Sequence, residues 1–172
     1  MNKSLQVAKY VVADLLSAAI AWTLFFIYRK YVVDPNVLNE PSLIFTDNKL
    51  YLGIAVIPLF WLTLYIIIGT YRKIYRKSRL KELGQTLSIT FIGVIFIFFS
   101  IILDDIIVSY RSYYQSFIVL FLLHFFFTYT FRLIITTRTI HKIHKRVIGF
   151  NSIIVGSNGN AVNIYKEIEG EK

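Results

Sequence analysis

The chain has 172 residues, no cysteine and a formal net charge of +9. Hydrophobic residues make up 56 % and charged residues 17 %, with a mean hydropathy of +0.59; soluble domains carry roughly 25 % charge and 45–50 % apolar residues. That balance argues against a soluble enzyme and against disorder. The lack of cysteine excludes a disulfide framework, a thiolate zinc site and a cysteine nucleophile.

Four apolar runs stand out: Tyr10 to Tyr28, Leu50 to Ile68, Leu87 to Leu103 and about Tyr113 to Phe131. Each has about the ~17–25 residues a helix needs to cross the hydrocarbon core. Helices are the reading because an open strand leaves unpaired backbone groups in lipid. Ala19-Ile20-Ala21 has the small-residue look of a signal cleavage site, but the apolar run continues to Tyr28 and then meets Arg29-Lys30. A signal's apolar region is shorter, so the first run is an uncleaved anchor. Pro58, inside the second run, lacks the N–H that would bond back to Ile54, which predicts a local kink.

Charge placement predicts the topology. The link after the second run holds Arg72, Lys73, Arg76, Lys77, Arg79 and Lys81 against Glu82 alone. Lys3 and Lys9 precede the first run, and Arg132, Arg138, Lys142, Lys145 and Arg146 follow the fourth. The other two links are balanced or acidic, with Asp104-Asp105 read as a solvated helix end on the outer side. By the positive-inside rule both termini and the 72–85 link face the cytoplasm. Arg72, Lys73, Arg76, Lys77 and Arg79 are candidates for contact with anionic headgroups or a phosphate-bearing ligand. The plainer reading is a topology signal alone. Nucleic acid is disfavoured because the cations hug membrane ends.

Two intramembrane polar residues are candidates. Asp14 lies about five residues into the first run, and an acid there is expected to hydrogen-bond inside the bundle. Antiparallel depth matching points to Thr128 or Tyr129. His124, in the fourth run, reads as a packed or lipid-adjacent histidine rather than a ligand. His141 and His144 could share a helix face, but Lys142, Lys145 and Arg146 around them disfavour a divalent metal.

Past Phe131 the composition changes. Residues 136–150 read as a basic interfacial linker containing a helix that leaves the membrane, broken at Gly149. Asn151 to Gly156 reads as a short buried strand, Gly156-Ser-Asn-Gly159 as a turn, and Asn160 to Glu169 as a helix by its apolar spacing. This is the opening unit of a doubly wound domain, and one strand with one helix makes no core. The expectation is therefore a piece of a longer protein. A dinucleotide fingerprint needs Gly-x-Gly-x-x-Gly/Ala after a strand. Here those positions are Gly156, Asn158 and Ala161, with Gly159 shifted by one, so the turn is degenerate.

The fold class expected is an all-α membrane domain. A four-helix transmembrane bundle over 1–135 is followed by the truncated first strand-turn-helix of a Rossmann-like α/β domain over 151–172. No catalytic or metal constellation is present in the sequence pattern, and no cofactor is expected for this chain.

Pro58-Leu-Phe-Trp61-Leu-Thr-Leu-Tyr65-Ile-Ile-Ile-Gly69-Thr-Tyr71-Arg72, then Arg76-Lys-Ser78-Arg79 and Glu82-Leu83, resembles the N-terminal membrane region of bacterial polyprenyl glycosylphosphotransferases. Arg132-Leu133 and Gly149-Phe-Asn-Ser-Ile-Ile-Val-Gly156 resemble that family's join to its middle domain. The resemblance covers essentially the whole chain through short motifs. It implies an anchor of an enzyme that transfers a sugar-1-phosphate from a nucleotide sugar to polyprenyl phosphate with Mg²⁺, initiating exopolysaccharide, capsule or O-antigen synthesis. The family's catalytic domain lies C-terminal to the middle domain, so no catalytic residue carries over. A homo-oligomer is left open. Two alternatives stand. One is the anchor of a nucleotide-sugar dehydratase or epimerase, disfavoured by Asn158 at the second glycine position. The other is a short non-enzymatic membrane assembly protein.

Overall fold

In a computed structural model of the chain, residues 3–33, 42–72, 78–102, 110–144, 154–156 and 159–170 are described. Six α-helices follow one another among them: α1 (Lys3–Val33), α2 (Ser42–Thr46), α3 (Asn48–Ile67), α4 (Arg79–Ile97), α5 (Tyr110–His144) and α6 (Gly159–Gly170). A π-helical turn, Phe98–Ile102, continues α4. No strand occurs among the described residues. Four helical segments are long and apolar enough to cross a membrane: Ser4–Val32, Asn48–Ile67, Arg79–Ser100 and Tyr113–Ile143. The chain divides into two units, Met1–His141 and Lys142–Lys172.

The helices outrun the apolar stretches at the terminal side. α4 begins at Arg79, eight residues before the apolar run, because Ser78 caps it: its Oγ accepts the Lys81 N–H at 3.2 Å, satisfying an otherwise orphan donor. α5 continues unbroken to His144. The first unit therefore runs past the expected boundary at residue 135, and Thr136 and Thr139 are buried in it. Hydropathy alone misses this extension because polar side chains, not apolar ones, face the neighbouring helix there.

α3 starts and stops on specific chemistry. Asp47 caps its start by accepting the Lys49 N–H at 2.9 Å, and it pairs with Lys30 of α1 at 2.6 Å. Its end is a Schellman motif. Thr70 N–H bonds Tyr65 C=O and Gly69 N–H bonds Ile66 C=O, both at 3.0 Å. Gly69 has φ +74°, a left-handed conformation that glycine adopts without steric penalty. Pro58 is buried within α3, which continues through it.

Two tryptophans fill the core, each against a glycine of a neighbouring helix. A Cβ at Gly53 of α3 would run into the indole of Trp22 on α1, and one at Gly93 of α4 into the ring of Trp61 on α3. Small residues let helix backbones approach closely, which matters in lipid because packing rather than the hydrophobic effect drives helix association. Ala18, Phe25, Leu50, Ile57, Ile89, Val94 and Leu120 are among the other residues of this core. The outward faces carry exposed apolar side chains such as Leu16, Leu59, Phe96 and Phe126, as lipid-facing surfaces do.

In the second unit, Ile154 to Gly156 has no regular secondary structure, and Ile154 and Val155 are exposed. The expected buried strand is thus not seen in its described half; residues 151–153 lie outside the described residues. α6 matches the expected helix, and none of its residues is buried.

Gly53→Val and Gly93→Val are each expected to destabilise the bundle, by ~1–3 kcal/mol from overpacking. Gly84→Ala, where an added Cβ meets nothing within 4 Å, is expected to leave stability intact. Thermal unfolding in detergent, read by the fluorescence of the chain's 2 tryptophans, checks all three. A second test uses pH. The Lys30 ion pair holds the Asp47 carboxyl below the usual carboxylate range. Its stabilisation is present above that range and is lost as pH falls through the lowered value. Asp47→Ala should therefore destabilise the chain by about 1 kcal/mol at neutral pH, with the gap to wild type closing in acid, as measured by denaturant unfolding.

Candidate functional site

α1 and α5 are joined by a seam of polar pairs in antiparallel register. Gln6 Nε2 donates to Thr139 Oγ1 at 2.6 Å, and the Tyr10 and Thr136 hydroxyls are 2.7 Å apart. Arg132 grips Asp14 with two bonds, Nε to Oδ1 at 2.7 Å and Nη2 to Oδ2 at 2.8 Å. Ser17 and Thr128 hydroxyls lie 3.1 Å apart. Steps of three or four residues along α1 are matched by steps of three or four back along α5. That spacing keeps every pair on one face of each helix.

The centre of the seam is the Asp14–Arg132 pair. Arg132 and Glu82 are 0 % exposed and Asp14 2 %. Arg132 Nη1 lies 3.5 Å from Glu82 Oε1 of α4, an ionic contact outside hydrogen-bond range for Nη1. The guanidinium also lies over the Tyr65 ring of α3, 4.1 Å from its centroid, a cation–π arrangement. Tyr71, in the turn after α3, donates its hydroxyl to Asp14 Oδ2 at 2.7 Å. Burial, and then the Asp14 charge, push the Tyr71 phenol well above its ordinary range, so it stays protonated and acts as donor. One guanidinium thus touches residues from α1, α3 and α4 while belonging to α5.

Deeper in the bundle, His124 stacks on Trp61 with ring centroids 3.6 Å apart and planes 12° from parallel. Its Nε2 is 3.0 Å from the Tyr65 hydroxyl and 3.3 Å from Thr128 Oγ1. His124, stacked on Trp61, is thus linked through polar contacts to Tyr65 and, by way of Thr128, to Ser17; Thr128 lies one turn and His124 two turns before Arg132 on α5.

The expected partners of Asp14 are displaced by one turn. Thr128 bonds Ser17, and Tyr129 stacks on Phe125, 5.7 Å away. The offset arises because α5 meets α1 in a register set by four pairs rather than by equal depth from the apolar ends. His124 is packed, at 1 % exposure, and is not lipid-facing. Of the basic link, Arg72 and Arg79 are exposed; Lys73, Arg76 and Lys77 lie outside the described residues. Gly156 is exposed, Gly159 and Ala161 belong to α6, and Asn158 lies outside the described residues. Among the described residues no group of three or more His, Asp or Glu comes together as a metal site.

The roles of three members are not legible in the sequence pattern. Arg132 and Glu82 read there only as charges flanking the apolar runs, and Tyr71 only as part of the exit from the second run. A usable signal existed: Glu82 begins a row with Thr86 and Thr90 at helical spacing, and Arg132 lies four residues after Thr128. Such rows place polar side chains on one helix face.

Compared with protein-family models, curated proteins and solved structures, the chain matches none.

Removing one side of the buried pair leaves an uncompensated charge, which costs roughly 3–5 kcal/mol in buried settings. Arg132→Leu and Asp14→Leu are each expected to destabilise by about that much, and Asp14→Asn by less because it still accepts from Tyr71. Arg132→Lys should not rescue, since an ammonium lacks the planar two-pronged fit. Denaturant unfolding in detergent measures all four.

Proposed function

We propose that this chain is the N-terminal membrane-anchoring part of a polyprenyl-phosphate sugar-1-phosphate transferase that initiates exopolysaccharide, capsule or O-antigen synthesis. The observation that carries the reading is convergence. Tyr65, Gly69, Tyr71, Glu82 and Arg132, five of the residues in the motifs that carry the resemblance, touch the Asp14–Arg132 pair or build the turn that reaches it. Gly69 ends α3 so that Tyr71 swings onto Asp14. Glu82 and Tyr65 flank the guanidinium of Arg132. Residues from short motifs far apart in the chain thus serve one structural purpose, which supports the reading.

In this reading the termini and the 72–85 link lie in the cytoplasm, by the distribution of Lys and Arg. Arg72 and Arg79, with Lys73, Arg76 and Lys77, attract anionic headgroups. The segment from residue 151 begins a Rossmann-like middle domain whose strand pairs only within a complete sheet. Its turn, with Asn158 at the second glycine position, need not bind a nucleotide. Catalysis, with Mg²⁺, a nucleotide sugar and polyprenyl phosphate, belongs to a domain C-terminal to that one. The bundle's buried charges are engaged with each other, so their role is to hold four helices as one anchor.

Sequencing the source DNA beyond the Lys172 codon, followed by assay of the encoded product, tests the reading. The expected frame completes a Rossmann-like domain and continues into a basic, membrane-associated catalytic domain. Its product should transfer sugar phosphate to polyprenyl phosphate with Mg²⁺, while residues 1–172 in nanodiscs should give no turnover. A dehydratase-type domain downstream, or turnover by residues 1–172 alone, would overturn it.

A further inference from the structure

Glu82, Thr86 and Thr90 form a row along one face of α4, each 0 % exposed. The two threonines behave unlike others in the chain. Thr23, Thr63 and Thr139 each return the hydroxyl to the carbonyl four residues earlier, all at 2.8 Å. Thr86 and Thr90 do not, and neither hydroxyl has a hydrogen-bond partner among the described residues. At one end of the row, Arg132 Nη1 is buried and likewise makes no hydrogen bond. At the other, Gly93 closes against the Trp61 ring.

Buried hydroxyls and guanidinium N–H groups are rarely left without partners. The charge around the row selects what can serve them. An anion would meet Asp14 and Glu82, which already flank Arg132. A cation would meet Arg132 itself. A neutral molecule that both donates and accepts meets no such penalty.

We propose that the row from Arg132 Nη1 past Thr86 to Thr90 binds ordered water inside the bundle, between α4 and its neighbours. Buried water of this kind makes two to four hydrogen bonds to otherwise unsatisfied polar groups. Here it joins Arg132 to the two hydroxyls. The Asp14–Arg132–Glu82 cluster is then partly hydrated within the apolar bundle, which lessens the desolvation that such charges otherwise suffer.

Water-edited solid-state NMR on the full chain in lipid bilayers, with labelled threonine, tests this directly. Peaks are assigned by single Thr→Val substitutions. Thr128 is the control, since it is equally buried but bonded to Ser17 and close to His124. Polarisation from water should reach Thr86 and Thr90 earlier than Thr128. Equal or later transfer would overturn the proposal. Stability supplies a second readout. If water is held, the near-isosteric Thr86→Val and Thr90→Val should lower the unfolding midpoint; if the hydroxyls are orphaned, removing them should leave it unchanged or raise it, and the proposal falls.

Discussion

One guanidinium organises the bundle. Arg132 makes a two-pronged ion pair with Asp14 at 2.7 and 2.8 Å, faces Glu82, and lies over Tyr65. Taking charges out of water is expensive, by several kcal/mol per ion even after relaxation. Such a group persists only where geometry and further hydrogen bonds compensate. Here the planar fork of arginine fits both carboxylate oxygens, and Tyr71 adds a third bond to Asp14. The pair is a weak source of net stability but a strong constraint on arrangement, because every alternative register strands a charge in an apolar interior.

That constraint explains the rest of the helix packing. In lipid there is no general hydrophobic drive for helices to meet, so close contact and polar contacts decide register. The α1–α5 seam provides polar contacts. The Gly53–Trp22 and Gly93–Trp61 contacts provide close approach for α3 against α1 and α4. The Schellman turn at Gly69 is the link between the two, since it ends α3 and lets Tyr71 reach Asp14. His124, stacked on Trp61 and close to the Tyr65 hydroxyl, ties the aromatic core to the polar seam.

The four spans were legible in the sequence because apolar runs of membrane length carry a strong signal. Helix ends were less so. α4 begins at Ser78's cap and α5 runs on to His144 because capping and polar helix–helix pairing, neither visible to hydropathy, extend them. Asp14 was legible as a residue needing a partner, but its partner was not. A charge count treats Arg132 as an inside marker, and only the α1–α5 register shows that it turns inward. Glu82 was hidden for the same reason, as one acid among six cations of its link. The basic cluster and the degenerate turn around Gly156 carry no such geometric reading, since much of each lies outside the described residues.

The register of α1 on α5 is the claim on which this account rests, and the chain's lack of cysteine makes it accessible to cross-linking. Ser17→Cys with Thr128→Cys replaces hydroxyls that lie 3.1 Å apart. This pair should form a disulfide rapidly on mild oxidation in membranes. Ser17→Cys with Thr136→Cys, two turns away along α5, should not. Efficient bridging of the second pair, or none of the first in a folded protein, would contradict the register and with it the placement of Asp14 on Arg132.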